Sequence, residues 1–373
     1  MKTRNDYIFY GVFFFAFTAI FLLNNNRGDI QNEKILNIIL ACFTLVFLFL
    51  IVLCLKENYV KFTRNDIFLF SCLIFCAIAT FVFRRFVSLH WVYLLTAFCI
   101  TKLDIKNHPK YFNFFVLLGF ISIIIQFLNN QTDHKTPVLS WQDPNYSGLV
   151  IFLFVLLLHK LQKKYLVYIA LLLGILTLSR AFFVSTLIFL LLRFAFVRRI
   201  ALKPFFFNAY FYFVVVLTTP FVMAPIYLNY FNKNQDKVVD NNKLLGSFNR
   251  LTASYLDNSN KNRFTANVLF LKDIIKHPQN YILGMPVEEY VQKVFRNSPH
   301  NIVGQLVLSY GLLFTFFYLI ILFRMITPFF TRGNEFVFFP LLIYLLLLGG
   351  VWIGISLIFF AILLKINFNN EKN

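Results

Sequence analysis

Acidic residues are scarce in this chain: 16 Asp and Glu stand against 35 Lys and Arg, and none of the 16 lies inside a long apolar run. Proton- and sodium-coupled transporters place carboxylates at membrane depth, so their absence counts against that class. Cysteine is as sparse. The five residues Cys42, Cys54, Cys72, Cys76 and Cys99 all lie in or at the ends of the early apolar runs. Cys72 and Cys76 share a helix face, but no His or carboxylate beside them completes a metal site, so they read as packing residues. The long polar stretch of the chain has no Cys, which excludes a disulfide framework there. A Walker A loop is missing, so an ATP site of that kind is excluded. An Asp-x-Asp pair, the usual metal ligand for a nucleotide-sugar donor, is missing too. Neither metal nor cofactor is expected. The net charge of +19 is not that of a nucleic-acid binder, since no basic domain or recognition motif accompanies it.

What the chain has in excess is apolar residues: 59% of 373, with a mean hydropathy of +0.70. A soluble domain carries about 45–50%. The excess falls in blocks at 7–23, 35–55, 67–83, 87–100, 111–128, 147–159, 165–178, 181–197, 205–228, 301–323 and 336–364. Most match the length a helix needs to cross a bilayer. The last is too long for one crossing and divides at Gly349–Gly350, which gives about twelve helices. Lys2 and Arg4 precede the first block, but its length and the lack of a small-residue cleavage site make it a membrane helix rather than a signal peptide. The fold class expected is therefore all-α, a polytopic transmembrane bundle.

Cations between blocks set the orientation. With the N-terminus inside, the inner links hold Lys56, Lys61, Arg64, Lys102, Lys106, Lys110, Lys160, Lys163, Lys164, Arg193, Arg198, Arg199, Lys203, Arg324, Arg332 and Lys365. The short outer links hold only Arg27, Lys34, Arg84, Arg85, Lys135 and Arg180. Both termini are thus expected in the cytoplasm. Three segments follow: helices one to nine over 1–228, a large polar external loop over 229–300, and helices ten to twelve with a tail over 301–373. A loop of about 70 residues is commonly functional or disordered. Within it a helix is expected from Arg263 to Lys276, ended by His277–Pro278. Phe264, Val268, Leu271 and Ile275 give it an apolar stripe at helical spacing, suited to lying on the bilayer or capping the bundle.

Arg180 is the most unusual residue. It stands midway along the apolar stretch 165–197, which is barely long enough for two crossings, so the chain must turn there with almost no loop. A cation at that depth is costly and marks function, or else it snorkels to lipid phosphate. His300 opens the helix after the large loop, with Ser298 as the expected N-cap and Pro299 at the first helical position. A neutral imidazole there can take a proton from a sugar hydroxyl. Arg263 and Arg250 in the loop suit phosphate oxygens, or are simply solvated. Arg84 and Arg85 suit an anionic lipid head, or merely touch the outer leaflet. His90 reads as a packing residue. Asp143 and Asn145, in Asp143-Pro-Asn-Tyr-Ser-Gly148, form a turn and helix start that also offers polar groups to a glycan.

Taken in order, these motifs resemble the O-antigen polymerase and O-antigen ligase superfamily of membrane glycosyltransferases. The resemblance rests on Asp143-Pro144-Asn145, on Leu178-Ser179-Arg180, and on His300-Asn301 followed by Gln305 and Gly311. Arg263, Pro278 and Gly284 fall in the loop between helices nine and ten, as in family members. The motifs cover about 140–315; the rest is similar by hydropathy alone. The chain departs from the family at Gly304, at Phe314, where the family often has Gly, and at Gly284-Met-Pro. The resemblance implies transfer of a glycan from an undecaprenyl-pyrophosphate carrier at the periplasmic face of a bacterial inner membrane, without metal. His300 would be the base, Arg180 and Arg263 would hold the pyrophosphate, and Arg84, Arg85, Asp143, Asn145, Arg250 and Asn301 would bind substrate. Membrane lipid and a chain-length regulator are the partners it admits. The repeat-unit polymerase is favoured over the ligase, which would deliver glycan to lipid A–core. A metal-dependent polyprenyl-phosphate-sugar transferase would need acidic residues in the first external loop, where Asp29 and Glu33 are loosely spaced. A lipid-glycan transporter would need pseudo-symmetric halves, which the lopsided loop counts against.

Overall fold

The structure is a computed structural model. It describes residues 4–21, 42, 45–46, 48–53, 62–84, 90–103, 109–129, 139, 144–197, 208–233, 258–285, 287–294, 299, 301–330, 337–341, 344 and 355–366. Among these every regular element is helical. The helices are α1 Arg4–Phe21, α2 Arg64–Arg84, α3 His90–Lys102, α4 Pro109–Asn129, α5 Pro144–Lys160, α6 Lys164–Leu176, α7 Arg180–Val197, α8 Ala209–Lys233, α9 Asn258–Lys276, α10 Val287–Lys293, α11 Ile302–Tyr310, α12 Leu312–Ile326 and α13 Ile355–Lys365.

Four stretches are long and apolar enough to cross a membrane: Arg64–Phe83, Tyr111–Asn129, Ala209–Asn229 and Leu312–Phe329. They keep large apolar side chains on the outside. Phe68, Phe75, Val82 and Phe83 on α2 and Leu117 and Leu128 on α4 are all exposed. Water would penalise that surface at about 25 cal/mol per Å², whereas lipid does not. These helices mark a membrane protein. The shorter apolar helices take the middle. On α3 every residue from Val92 to Thr101 is buried, on α5 every residue from Ser147 to Leu158, and on α13 every residue from Leu357 to Leu364. A helix apolar all round has no face to spare for water and ends in a core or a membrane. α13 packs along α3, α1 and α5; α12 packs on α2 and α3.

Two connections are very tight. α5 ends at a Schellman turn: Lys163 N–H donates to Leu158 O and Gln162 N–H to His159 O, both at 3.0 Å, with Gln162 at φ 57° where glycine is usual. α6 and α7 are joined by Thr177-Leu178-Ser179 alone, with Leu178 at φ 51°. The expected turn at Ser179–Arg180 is therefore present. Asp66 closes a capping box at the start of α2: its carboxylate accepts from Thr63 N–H at 2.9 Å, and Thr63 Oγ1 accepts from Asp66 N–H at 3.2 Å. Arg324 on α12 adds an ion pair to Asp66 at 3.0 Å.

Three expectations are corrected. The block 301–323 is not one helix. It breaks at Gly311, where φ is 92° and backbone from residues 282–284 comes too close for any side chain. The N-cap of α11 is Asn301, not Ser298, and the helix opens at Ile302; Asn301 Oδ1 accepts from Gly304 N–H at 2.8 Å. The loop helix starts five residues early, at Asn258, and buries Ala266, Asn267 and Phe270 rather than the expected stripe. Of that stripe Leu271 is 36% and Ile275 71% exposed, while Phe264 stacks on Tyr227 of α8 at 4.4 Å. Periodicity found the helix but not the face, because α9 packs along α8 and that neighbour, not the spacing of apolar residues, decides which side is covered.

Candidate functional site

The N-termini of α5 and α7 meet. Asn145 is the second residue of α5 and Ser179 immediately precedes α7. Ser179 Oγ accepts from Phe182 N–H at 3.2 Å, which makes Ser179 the N-cap, and it lies 3.3 Å from Asn145 Oδ1 as donor. Gly148 permits the approach: a Cβ there would stand 2.8 Å from Ser179 Oγ and 3.1 Å from Phe182 Cβ. Ser147, one turn along, accepts from Leu139 N–H at 2.9 Å and ties the incoming strand of chain to the same place. The Tyr344 hydroxyl approaches Ser179 without reaching hydrogen-bond geometry.

Arg180 is the first residue of α7, half-buried, with its Nη1 atom buried. Each helix N-terminus carries about half a positive charge on its free N–H groups. Two such ends beside the Arg180 side chain make a positive corner of the kind that suits an anion. Asp143, directly ahead of α5, is the carboxylate next to it in sequence and lies outside the described residues.

A second set of candidates lies on α9 and α11. Asn301 is fully buried and joins both: its Nδ2 donates to Asn267 Oδ1 at 2.9 Å while its Oδ1 caps α11. Asn267 is one turn beyond Arg263, on the same side of α9. Arg263 is half-buried. Behind them Phe270, Tyr281, Met285, Tyr290, Val307 and Leu308 form a small core of their own. Tyr281 donates to Asp273, and burial together with that carboxylate pushes the Tyr281 hydroxyl well above its usual range, so it stays a donor. Burial does the same to Tyr290. Met285 N–H donates to Leu308 O at 2.8 Å, which clips this part of the chain to α11. Thr80 Oγ1 donates to Tyr310 O at 3.3 Å, and the Tyr310 hydroxyl bonds to His90 Nδ1, so α11 is also tied to α2 and α3. His90 is thus half-buried and engaged by Tyr310.

The structure therefore brings Asn145 against the residue next to Arg180, and Asn301 against α9 one turn from Arg263. Arg84 ends α2; His300, Asp143, Arg85 and Arg250 lie outside the described residues. Sequence reasoning named Ser179 only as part of a motif and a turn, and missed Asn267; these two organise the two sets. Ser179 had a signal, a serine just ahead of a long apolar helix; Asn267 had none beyond being polar on a helix. It also missed Arg193, counted as a link residue but standing inside α7. Cys76 and Cys99 are buried free thiols, and no group of His, Cys, Asp or Glu among the described residues could hold a metal.

No family model, curated protein or solved structure matches this chain.

Proposed function

We propose that the protein is a metal-independent membrane glycosyltransferase of surface-polysaccharide assembly, the polymerase of undecaprenyl-pyrophosphate-linked repeat units. The observation that supports this reading is the meeting of two helix N-termini at Asn145 and Ser179 with Arg180 beside them. A pyrophosphate carries the charge this corner suits, and in a membrane protein the pyrophosphate at hand is that of a lipid carrier. The twelve-crossing arrangement belongs to the proposal, with both termini cytoplasmic and residues 229–300 periplasmic. The distribution of Lys and Arg between blocks supports it.

In the reaction, His300 takes the proton from an acceptor hydroxyl. That oxygen bonds to the anomeric carbon of the donor glycan as the bond from that carbon to the pyrophosphate oxygen breaks. Undecaprenyl pyrophosphate leaves with the electron pair. Arg180 and Arg263 hold its oxygens as charge grows on them. Fixed cations aimed at a developing anion contribute about 3–4 kcal/mol each where donors of this kind have been removed. The phosphate leaving group is a good one, so no nucleotide is consumed.

The test is the glycolipid pattern of cells lacking the gene. Lipid A–core bearing a single repeat and no ladder supports the polymerase; polymer held on the carrier and absent from lipid A–core supports the ligase instead. Restoration of the ladder by both Arg180→Ala and His300→Ala, at normal expression, would remove the mechanism.

A further inference from the structure

The second half of α9 stands level with the membrane spans. Phe264, early in α9, stacks on Tyr227 of α8. Phe270, further along α9, belongs to a cluster that packs on Phe221, earlier on α8. α9 therefore runs antiparallel to α8, back along the apolar stretch Ala209–Asn229. The same cluster packs on Leu312, which opens the span-length stretch Leu312–Phe329. The segment that follows α9 reaches this height too, since Ile282 backbone meets Gly311 directly ahead of that stretch. Residues 270–282 are thus held to α8 on one side and to the start of α12 on the other, where both helices are apolar enough to lie in lipid.

The side chains turned outward here are not those of a water-facing loop. Ala266, Asn267, Phe270 and Ile274 take the inner side of α9. Leu271 and Ile275, one turn apart on another face, are exposed, and so is Ile282. Lys272 and Lys276, each next in sequence to one of that pair, are exposed as well. Asp273, the one carboxylate of α9, accepts from Tyr281. On the two helices that hold this segment, Val222, Met223 and Ile226 of α8 and Leu313 and Phe316 of α12 are exposed in the same way. An apolar stripe bordered by lysines is the pattern of a helix set in a membrane interface: the stripe sinks below the headgroups and the lysine stems stretch to the phosphates. Lipid and a second copy of the chain are the two covers for such a patch. The bordering lysines favour lipid, whose phosphates carry the complementary charge.

We propose that the C-terminal half of α9, together with Ile282, is inserted in the bilayer interface. Leu271, Ile275 and Ile282 enter the acyl layer, and Lys272 and Lys276 lie among the headgroup phosphates. α9 does not lie flat on the membrane; it enters by its C-terminal end, while its first half packs on the end of α8. The insertion sets the height of Asn267 and Arg263 above the lipid. The leaflet is the outer one if the topology proposed above holds, and naming it rests on that reading; the insertion does not.

Ile275→Cys, Ile282→Cys, Lys276→Cys and Asn262→Cys are made singly in the full chain, all at exposed positions. Membranes open on both sides are treated with a charged maleimide, and modification is read by peptide mapping, so the native cysteines do not interfere. Only the thiolate reacts and an apolar setting keeps the thiol protonated, so Ile275→Cys and Ile282→Cys are expected to react at least about tenfold more slowly than Lys276→Cys and Asn262→Cys. Equal rates at Ile275→Cys and Asn262→Cys would overturn the insertion. A rate at Lys276→Cys as slow as at Ile275→Cys would enclose the whole turn in protein and overturn it too. The slow cysteines are then labelled with bimane in vesicles of phosphatidylethanolamine and phosphatidylglycerol, with the wild-type chain as background. Quenching by phosphatidylcholine bearing a nitroxide high on its acyl chain supports insertion. Slow reaction without quenching would assign the patch to a second copy of the chain and overturn it. None of these readouts uses glycan transfer, so the insertion and the proposed activity can fail separately.

Discussion

Ser179 Oγ donates to Asn145 Oδ1 at 3.3 Å and accepts from the N–H of Phe182 at 3.2 Å, so one hydroxyl both caps α7 and joins it to α5. Removing it by Ser179→Ala is expected to cost about 1 kcal/mol from the cap. The melting temperature in detergent should fall by a few degrees. Because Arg180 follows directly, the proposed glycan transfer should fall by more than the amount of folded protein does, and gel quantification against membrane abundance would show it. A fall in activity no greater than the fall in abundance would leave Ser179 a purely structural residue.

Gly311 is the residue least open to change. Its φ is 92°, and a Cβ there would stand 2.2 Å from Ile282 O and 2.7 Å from Gly284 N. Gly311→Ala must therefore push residues 282–284 off α11 and break the bond from Met285 N–H to Leu308 O. The expected cost is about 2 kcal/mol or more, from backbone strain and overpacking together. Protease sensitivity should rise within 258–294 while the membrane helices remain protected, which limited proteolysis followed by peptide mapping would detect.

Asp66 is buried, capped by Thr63 and paired with Arg324 of α12, whose side chain is 34% exposed. Asp66→Ala removes a capping box and an ion-pair partner together. The cap alone is worth about 1 kcal/mol, and the partly exposed Arg324 limits what the pair adds. A total near 1–2 kcal/mol is expected. Asp66→Asn, which keeps hydrogen-bonding oxygen for Thr63, should recover part of it. Thermal unfolding of the two variants in the same detergent would settle the order.

Gln162 occupies the left-handed position of the Schellman turn and is exposed. A non-glycine residue there costs about 1–2 kcal/mol of backbone energy, offset in part by the greater freedom glycine has when unfolded. Gln162→Gly is expected to raise stability by about 0.5–1 kcal/mol, without effect on the proposed glycan transfer. A lowered melting temperature would mean that the Gln162 side chain holds the turn.

Composition and charge alone determined that this is a helical membrane protein. Apolar runs free of carboxylates have one stable home, and their backbone must be satisfied within each run, which means helix. The tight turn before Arg180 was equally legible, since the apolar stretch 165–197 left no residues for a loop. So was the end of α9, because Pro278 cannot continue a helix. What only the tertiary structure decided is which helices are enclosed and which polar atoms meet. α3, α5 and α13 read in sequence like any other apolar helix, yet neighbours cover them on every side, while α2 and α4 keep a face for lipid. The helix at 301–323 broke because Gly311 meets the backbone of Ile282 and Gly284, a contact no local pattern records. Asn145 and Ser179 are 34 residues apart, as are Asn267 and Asn301. A hydrogen bond depends on two atoms being about 3 Å apart, and that distance is set by how helices pack, not by spacing along the chain.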